Sequence, residues 1–295
     1  MTSKYQKAVG KLLIAVLAGL TLTGCEPTRE IAKTSQPVKR QLRNNFKHKF
    51  RRKWRYGYHA NTKGANKNTT PDKQLAEKQL TSNVRKTIHA NKGVSVQYKG
   101  GSFIINHNKP LIKYYSGKAY AKNIRDEYNR VSLGKALASF KTRQFQDRNE
   151  TGNGASDFRP AGFEQLTNLP GKLNHAYDRG HLLGYAIMGR LTGFDASESN
   201  PDNIATQTMW ANEANRSDSR GQAFYEMQVL NELDHHRDVI YRVQAVYNKP
   251  TDKVPYGNWV QAQGQKKAFK LNVFIPNVQP NLKIDYGSGR ATIRK

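Results

Sequence analysis

Two short stretches concentrate the groups that could do chemistry. Tyr177-Asp178-Arg179-Gly180-His181-Leu182-Leu183-Gly184 sets an acid, a guanidinium and an imidazole side by side, and an apolar run follows at once. Asn203-Ile204-Ala205-Thr206-Gln207-Thr208-Met209-Trp210-Ala211-Asn212 is a short apolar and β-branched segment that ends on an amide. An imidazole can take a proton from water near neutral pH. A neutral amide oxygen is a hard ligand suited to magnesium, which keeps several waters and needs few protein ligands. A base and a metal ligand on adjacent elements are the parts that phosphodiester hydrolysis requires. His181 is therefore the expected base and Asn212 the expected direct ligand to one Mg2+, with Mn2+ as the alternative ion. A helix N-cap is the competing role for Asn212.

Asp178-Arg179-Gly180-His181 resembles the DRGH motif of the DNA/RNA non-specific endonucleases, the ββα-metal nucleases. The spacing of 31 residues from His181 to Asn212 is similar to that between the family's base and its metal-ligand asparagine. Arg148-Asn149-Glu150-Thr151-Gly152-Asn153-Gly154, Gly193-Phe194-Asp195-Ala196-Ser197 and Phe274-Ile275-Pro276-Asn277-Val278 fit the same family. The nearest subgroup is the surface-attached DNA-entry nucleases of Gram-positive bacteria. The resemblance implies cleavage of DNA and RNA alike, with little dependence on sugar or sequence. It implies that Glu226, 14 residues after Asn212, holds metal-bound water, and that Arg148 contacts substrate. Arg179 is expected on phosphate. Asp178 and Asn203 are grouped with Arg148 as nucleic-acid contacts, Asp178 chiefly by orienting Arg179 or loop backbone and Asn203 by tying the loop to the site. His235-His236, His175 and His107 are expected to be structural.

These residues need a frame. Val94, Val96 and Tyr98, then Gly100-Gly101, then Phe103 and Ile105 predict a hairpin. Leu133-Gly134-Lys135-Ala136 resembles the family strand that crosses beneath the site. Residues 147–172 are rich in Gly, Pro, Asn and Asp and read as a long loop, of the kind that often carries function. Strands are expected around 178–184, 203–210, 239–247, 268–275 and 282–286. A helix is expected from Ala211, with Ala223, Phe224, Met227, Leu230 and Leu233 facing inward. The class is α+β: a ββα-metal nuclease fold with a central antiparallel sheet and flanking helices. There is no Walker loop, dinucleotide fingerprint, zinc-ligand spacing or glycine-flanked nucleophile serine.

The rest of the chain concerns location. Lys4, Lys7 and Lys11 precede an apolar run from Leu12 to Leu22, too short for a membrane span, and Leu22-Thr23-Gly24-Cys25 resembles a lipobox. Residues 1–25 are therefore expected to be a lipoprotein-type signal, with Cys25, the one cysteine, carrying the lipid. The protein would lie outside the cytoplasm, held to the bacterial membrane or secreted. Net charge is +27, and residues 31–71 supply 12 Lys or Arg and no acid. Residues 26–90 are expected to form a basic, largely disordered tether with a short helix near its end, which draws in polyanionic DNA or RNA, adheres to anionic lipid or cell-wall polymer, or serves as a spacer. Residues 91–295 form the expected endonuclease domain. The alternative reading is a non-catalytic lipoprotein that only captures DNA.

Overall fold

The computed structural model describes residues 69–154, 156–266 and 268–294. The expected signal, Cys25 and the tether up to residue 68 lie outside the described residues.

A seven-stranded antiparallel sheet forms the centre, in the order β1-β2-β11-β10-β9-β4-β3. Its members are β1 (Val96–Lys99), β2 (Ser102–Ile105), β3 (Tyr120–Arg125), β4 (Val131–Ala138), β9 (Val239–Val246), β10 (Gly257–Gly264) and β11 (Lys270–Pro276). Side chains alternate between the faces of a strand, and both faces here are apolar. Trp259, Phe274 and Phe103 pack on one side with Val84 and Ile88. Val260, Ala262, Val273 and Ile275 pack on the other with Leu182, Leu183, Trp210 and Leu230.

The first face is covered by α1 (Lys73–Glu77) and α2 (Ser82–Thr87), capped by the side chains of Asp72 and Thr81. Ala76, Leu80, Val84, Ile88 and Ala90 are all buried there. The boundary expected at residue 91 therefore falls inside the folded unit: residues 76–90 are held by apolar burial against the sheet.

The second face carries the predicted strand–strand–helix unit. β5 (Tyr177–His181) pairs with β6 (Ile204–Thr208) as a separate two-stranded sheet, and α4 (Met209–Glu213) follows directly. The exit of β5 runs into α3 (Tyr185–Met188), a short helix. The long helix α5 (Gln222–Asp234) is separated from α4 by a two-residue-per-strand hairpin, β7 (Asn215–Arg216) with β8 (Ser219–Arg220), so the helical stretch expected from Ala211 is broken in two. β12 (Leu282–Ile284) and β13 (Ala291–Ile293) close the chain as a small hairpin. Gly134 in β4 shows how tightly the unit seats, because a Cβ there would lie 2.8 Å from Leu183 Cγ.

Candidate active site

β5 places its residues by close cross-strand packing. A Cβ at Gly180 would sit 2.2 Å from Gln207 Oε1, so the motif's glycine is the residue that lets β6 approach. His181 comes next and is 6% exposed. Its Nε2 lies 3.1 Å from the carbonyl of Ala196. A carbonyl only accepts, so Nε2 carries the proton and Nδ1 keeps the lone pair in the neutral ring. Nδ1 lies 3.4 Å from an Arg148 amine. Burial, and then the Arg148 cation, hold the His181 pKa well below its ordinary value of 6.5. The ring is thus kept neutral and able to accept a proton at Nδ1.

Only neutral imidazole can serve as the base, so the rate should fall on the acid side as pH drops through the histidine's pKa. Because that pKa is lowered, the fall should lie well below pH 6.5, and Arg148→Ala should move it upward. Initial rates of DNA cleavage against pH at saturating metal test this. An acid limb at or above pH 6.5 in the unsubstituted protein contradicts the assignment.

Arg148 is fixed from three directions. It pairs with the carboxylate of Glu198, approaches His181 Nδ1, and lies 5.2 Å from the centroid of Tyr185. Tyr185 bonds Thr151, which tethers the same loop. Arg179 spends its Nε on the carbonyl of Phe158 and lies over the ring of Phe163. Arg179 lines an open cavity of about 910 Å³, together with Asp178, His175, Glu198, Asn212 and Glu213.

Asn212 sits in α4, whose N-cap is Thr208; the Thr208 hydroxyl accepts from the amide of Ala211. The N-cap role weighed for Asn212 is therefore taken by another residue. Its Nδ2 donates to Asp178 Oδ2 at 3.0 Å, which fixes the amide and leaves Oδ1 as the end able to bind a hard cation. The second carboxylate oxygen of Asp178 accepts from His175 Nε2 at 2.6 Å. Both Asp178 oxygens are thus committed, and an acid here would repel phosphate. Among the described residues the Asp178 carboxylate bonds Asn212 and His175, so its positioning bond runs to Asn212 where one to Arg179 or to loop backbone was expected.

Asn203 ties the end of the loop to the turn after His181. It is 0% exposed, its Oδ1 accepts from Leu183 N, and its Nδ2 donates to Leu183 O. The side chain clamps the turn after His181 and cannot reach a ligand. Glu226 is 8% exposed and accepts from Gln222 Nε2, which also donates to the carbonyl of His181. Asn258 in turn donates to Gln222. Glu226 therefore joins the site through a buried polar chain beneath His181, and it does not line the cavity that holds Asn212. Burial raises its pKa, opposed by Gln222 and Arg148.

Three residues near the site were not picked out from the sequence. His175, expected to be structural, bonds Asp178, and that bond raises its pKa. Glu213 is pushed up to about 7 by burial and by the charge of Asp178. One ligand atom from each of His175, Asp178 and Glu213 lies within 4.8 Å of the others. Glu198 was missed as a lone acid in a loop. Among the described residues this cavity wall offers an amide oxygen, carboxylates and an imidazole. That donor set fits a hard divalent cation that keeps most of its waters. His235 caps the carbonyl of Asn231 at the end of α5, and His236 lies against Phe140.

A profile of the DNA/RNA non-specific endonuclease family matches residues 73–293. The chain belongs to this family. Its fold is similar to that of NucA from Streptococcus agalactiae in the structure with magnesium ion bound, at 32% identity and a TM-score of 0.67, over 76% of this chain and 97% of that one. The structure of the same nuclease with no metal bound matches at 33% identity and a TM-score of 0.65, over 72% of this chain and 97% of that one. The protein is accordingly a nuclease of the non-specific endonuclease class, with the α+β architecture of NucA.

Proposed function

We propose that the protein is a metal-dependent endonuclease that hydrolyses DNA and RNA phosphodiester bonds with little regard to sugar or sequence. The observation that carries this is the pairing, on one β5–β6–α4 unit, of a neutral imidazole with its lone pair at Nδ1 and an asparagine amide turned by Asp178. His181 accepts the proton of the attacking water. Arg148 and Arg179 bind the phosphate and stabilise the charge that grows on its oxygens. Asp178 holds the Asn212 amide in position, and Gln222 and Glu226 support His181 from below. Magnesium, held by Asn212, would polarise the phosphate and ease departure of the leaving oxygen. The magnesium in the related NucA structure supports the choice of ion. The absence of any groove-reading element in the sequence fits contacts to phosphate over contacts to bases.

The test is cleavage of closed circular DNA, linear single strands and RNA, with magnesium and then with a chelator. All three should be cut with magnesium and none without it. Cutting that persists under chelation, or that is confined to one recognition sequence, contradicts the reading.

The location follows from the N-terminal sequence. We infer that Cys25 is lipidated and that the enzyme works on the outer face of the membrane, with the basic segment before the folded unit as a tether. A fatty-acid probe fed to producing cells should label the unsubstituted protein and not Cys25→Ala. Equal labelling of the two, or none of either, overturns the anchor.

A further inference from the structure

A second cavity of about 610 Å³ opens beside the catalytic one. It lies between the β3–β4 turn, the loop at 158–162 and the segment at 250–253. Arg159 lines both cavities, so they share a wall. A polynucleotide continues beyond the bond that is cut, and its neighbouring phosphates must leave the catalytic cavity over some part of its rim.

The charges of this second cavity differ in their commitments. Arg125 is paired with Asp202, and Arg130 with Asp126 and the carbonyls of Lys249, Pro250 and Asp252. Those two arginines build the wall. Asp252, the one acid in the lining, is 4% exposed and accepts from the amides of Asn248 and Lys249, so it presents little charge to a ligand. Arg159 gives one bond to the carbonyl of Phe163 and is otherwise exposed. Lys253 is exposed, with no side-chain partner among the described residues. Tyr128 stands at the rim, 48% exposed, with the Arg130 guanidinium 4.9 Å from its ring centroid.

Exposed cations without an acidic partner beside an exposed aromatic ring are the elements of a single-stranded nucleic-acid track, in which phosphates meet the cations and a base stacks on the ring. We propose that this second cavity is a subsite for single-stranded nucleotides flanking the cleaved bond, with Arg159 and Lys253 on phosphates and Tyr128 stacked on a base. It rests on the catalytic reading above for the position of the cleaved bond.

The test uses the full chain carrying His181→Ala, so that DNA is bound and not consumed, with and without the pair Tyr128→Ala and Lys253→Ala. Fluorescence anisotropy is read with labelled single strands of about four and about twelve nucleotides, a range that brackets one to several binding subsites. The longer strand should bind the parent more tightly than the shorter. The paired substitution should weaken the longer strand about ten-fold, as expected for a lost stacking contact and a lost phosphate contact, and leave the shorter unchanged. The slope of log affinity against log salt for the longer strand should also fall by about 0.7, the value for one phosphate on a single strand. An unchanged affinity and slope for the longer strand, or equal weakening of both strands, overturns the subsite. Failure of the unsubstituted chain to cleave DNA would instead count against the catalytic reading, and it leaves this binding comparison interpretable.

Discussion

Replacing His181 with alanine should lower turnover by about two to four orders of magnitude, the usual worth of a positioned base, while DNA and magnesium binding persist. Nε2 is committed to the carbonyl of Ala196, so Nδ1 is the one ring nitrogen that can take the proton of water. The substitution removes that acceptor. It leaves Arg148, Arg179, Asp178 and Asn212 with their own supports: Glu198, the Phe158 carbonyl, His175 and Asp178 respectively. The part of the acid limb set by His181 should vanish, since its imidazole is gone. Added imidazole should restore part of the rate by entering the space that the side chain leaves. Thermal unfolding followed by circular dichroism separates this from misfolding, because the lost ring also leaves the Ala196 carbonyl without its donor. Near-normal turnover in a folded variant would remove His181 from the mechanism.

Asn212→Ala should fail differently. The amide is held through Nδ2 by Asp178 Oδ2, and Asn212 lines the cavity. Without it, the clustered groups able to hold a cation among the described residues are Asp178, His175 and Glu213, and Asp178 and His175 are already bonded to each other. The magnesium needed for half-maximal rate should rise at least ten-fold, the maximal rate should fall, and imidazole should have no effect. Asp178→Asn should show a milder form of the same defect, because an amide at 178 can still accept from Asn212 but carries no charge. An unchanged magnesium requirement in Asn212→Ala would show that the ion is held elsewhere.

The parts legible in the sequence are those where chemistry and chain order coincide. His181, Arg179 and Asn212 sit in or beside short motifs, and the glycine between Arg179 and His181 reports a contact with Gln207 that no larger residue could allow. The hairpin at Gly100-Gly101 was legible because alternation and turn residues agree. What stayed hidden was assembled by tertiary contact. Glu198 and His175 are single residues in loops, and each gains its role only when folding brings Arg148 or Asp178 to it. β10 is buried along its whole length, yet Asn258, Gln261 and Gln263 make it read as polar. Asp178 and Asn203 both give their polar atoms to neighbours inside the protein, Asn203 in the tying role expected of it, and sequence position does not reveal those partners.

The account's central claim is that proton acceptance and metal holding belong to different residues of one strand–strand–helix unit. The direct measurement is a magnesium titration of the initial rate of DNA cleavage by the unsubstituted protein, His181→Ala and Asn212→Ala at one pH. The expected curves share a midpoint for the unsubstituted protein and His181→Ala, with the plateau of the latter far lower, and place the midpoint of Asn212→Ala at much higher magnesium. A shifted midpoint in His181→Ala together with an unshifted one in Asn212→Ala would contradict the assignment of both residues.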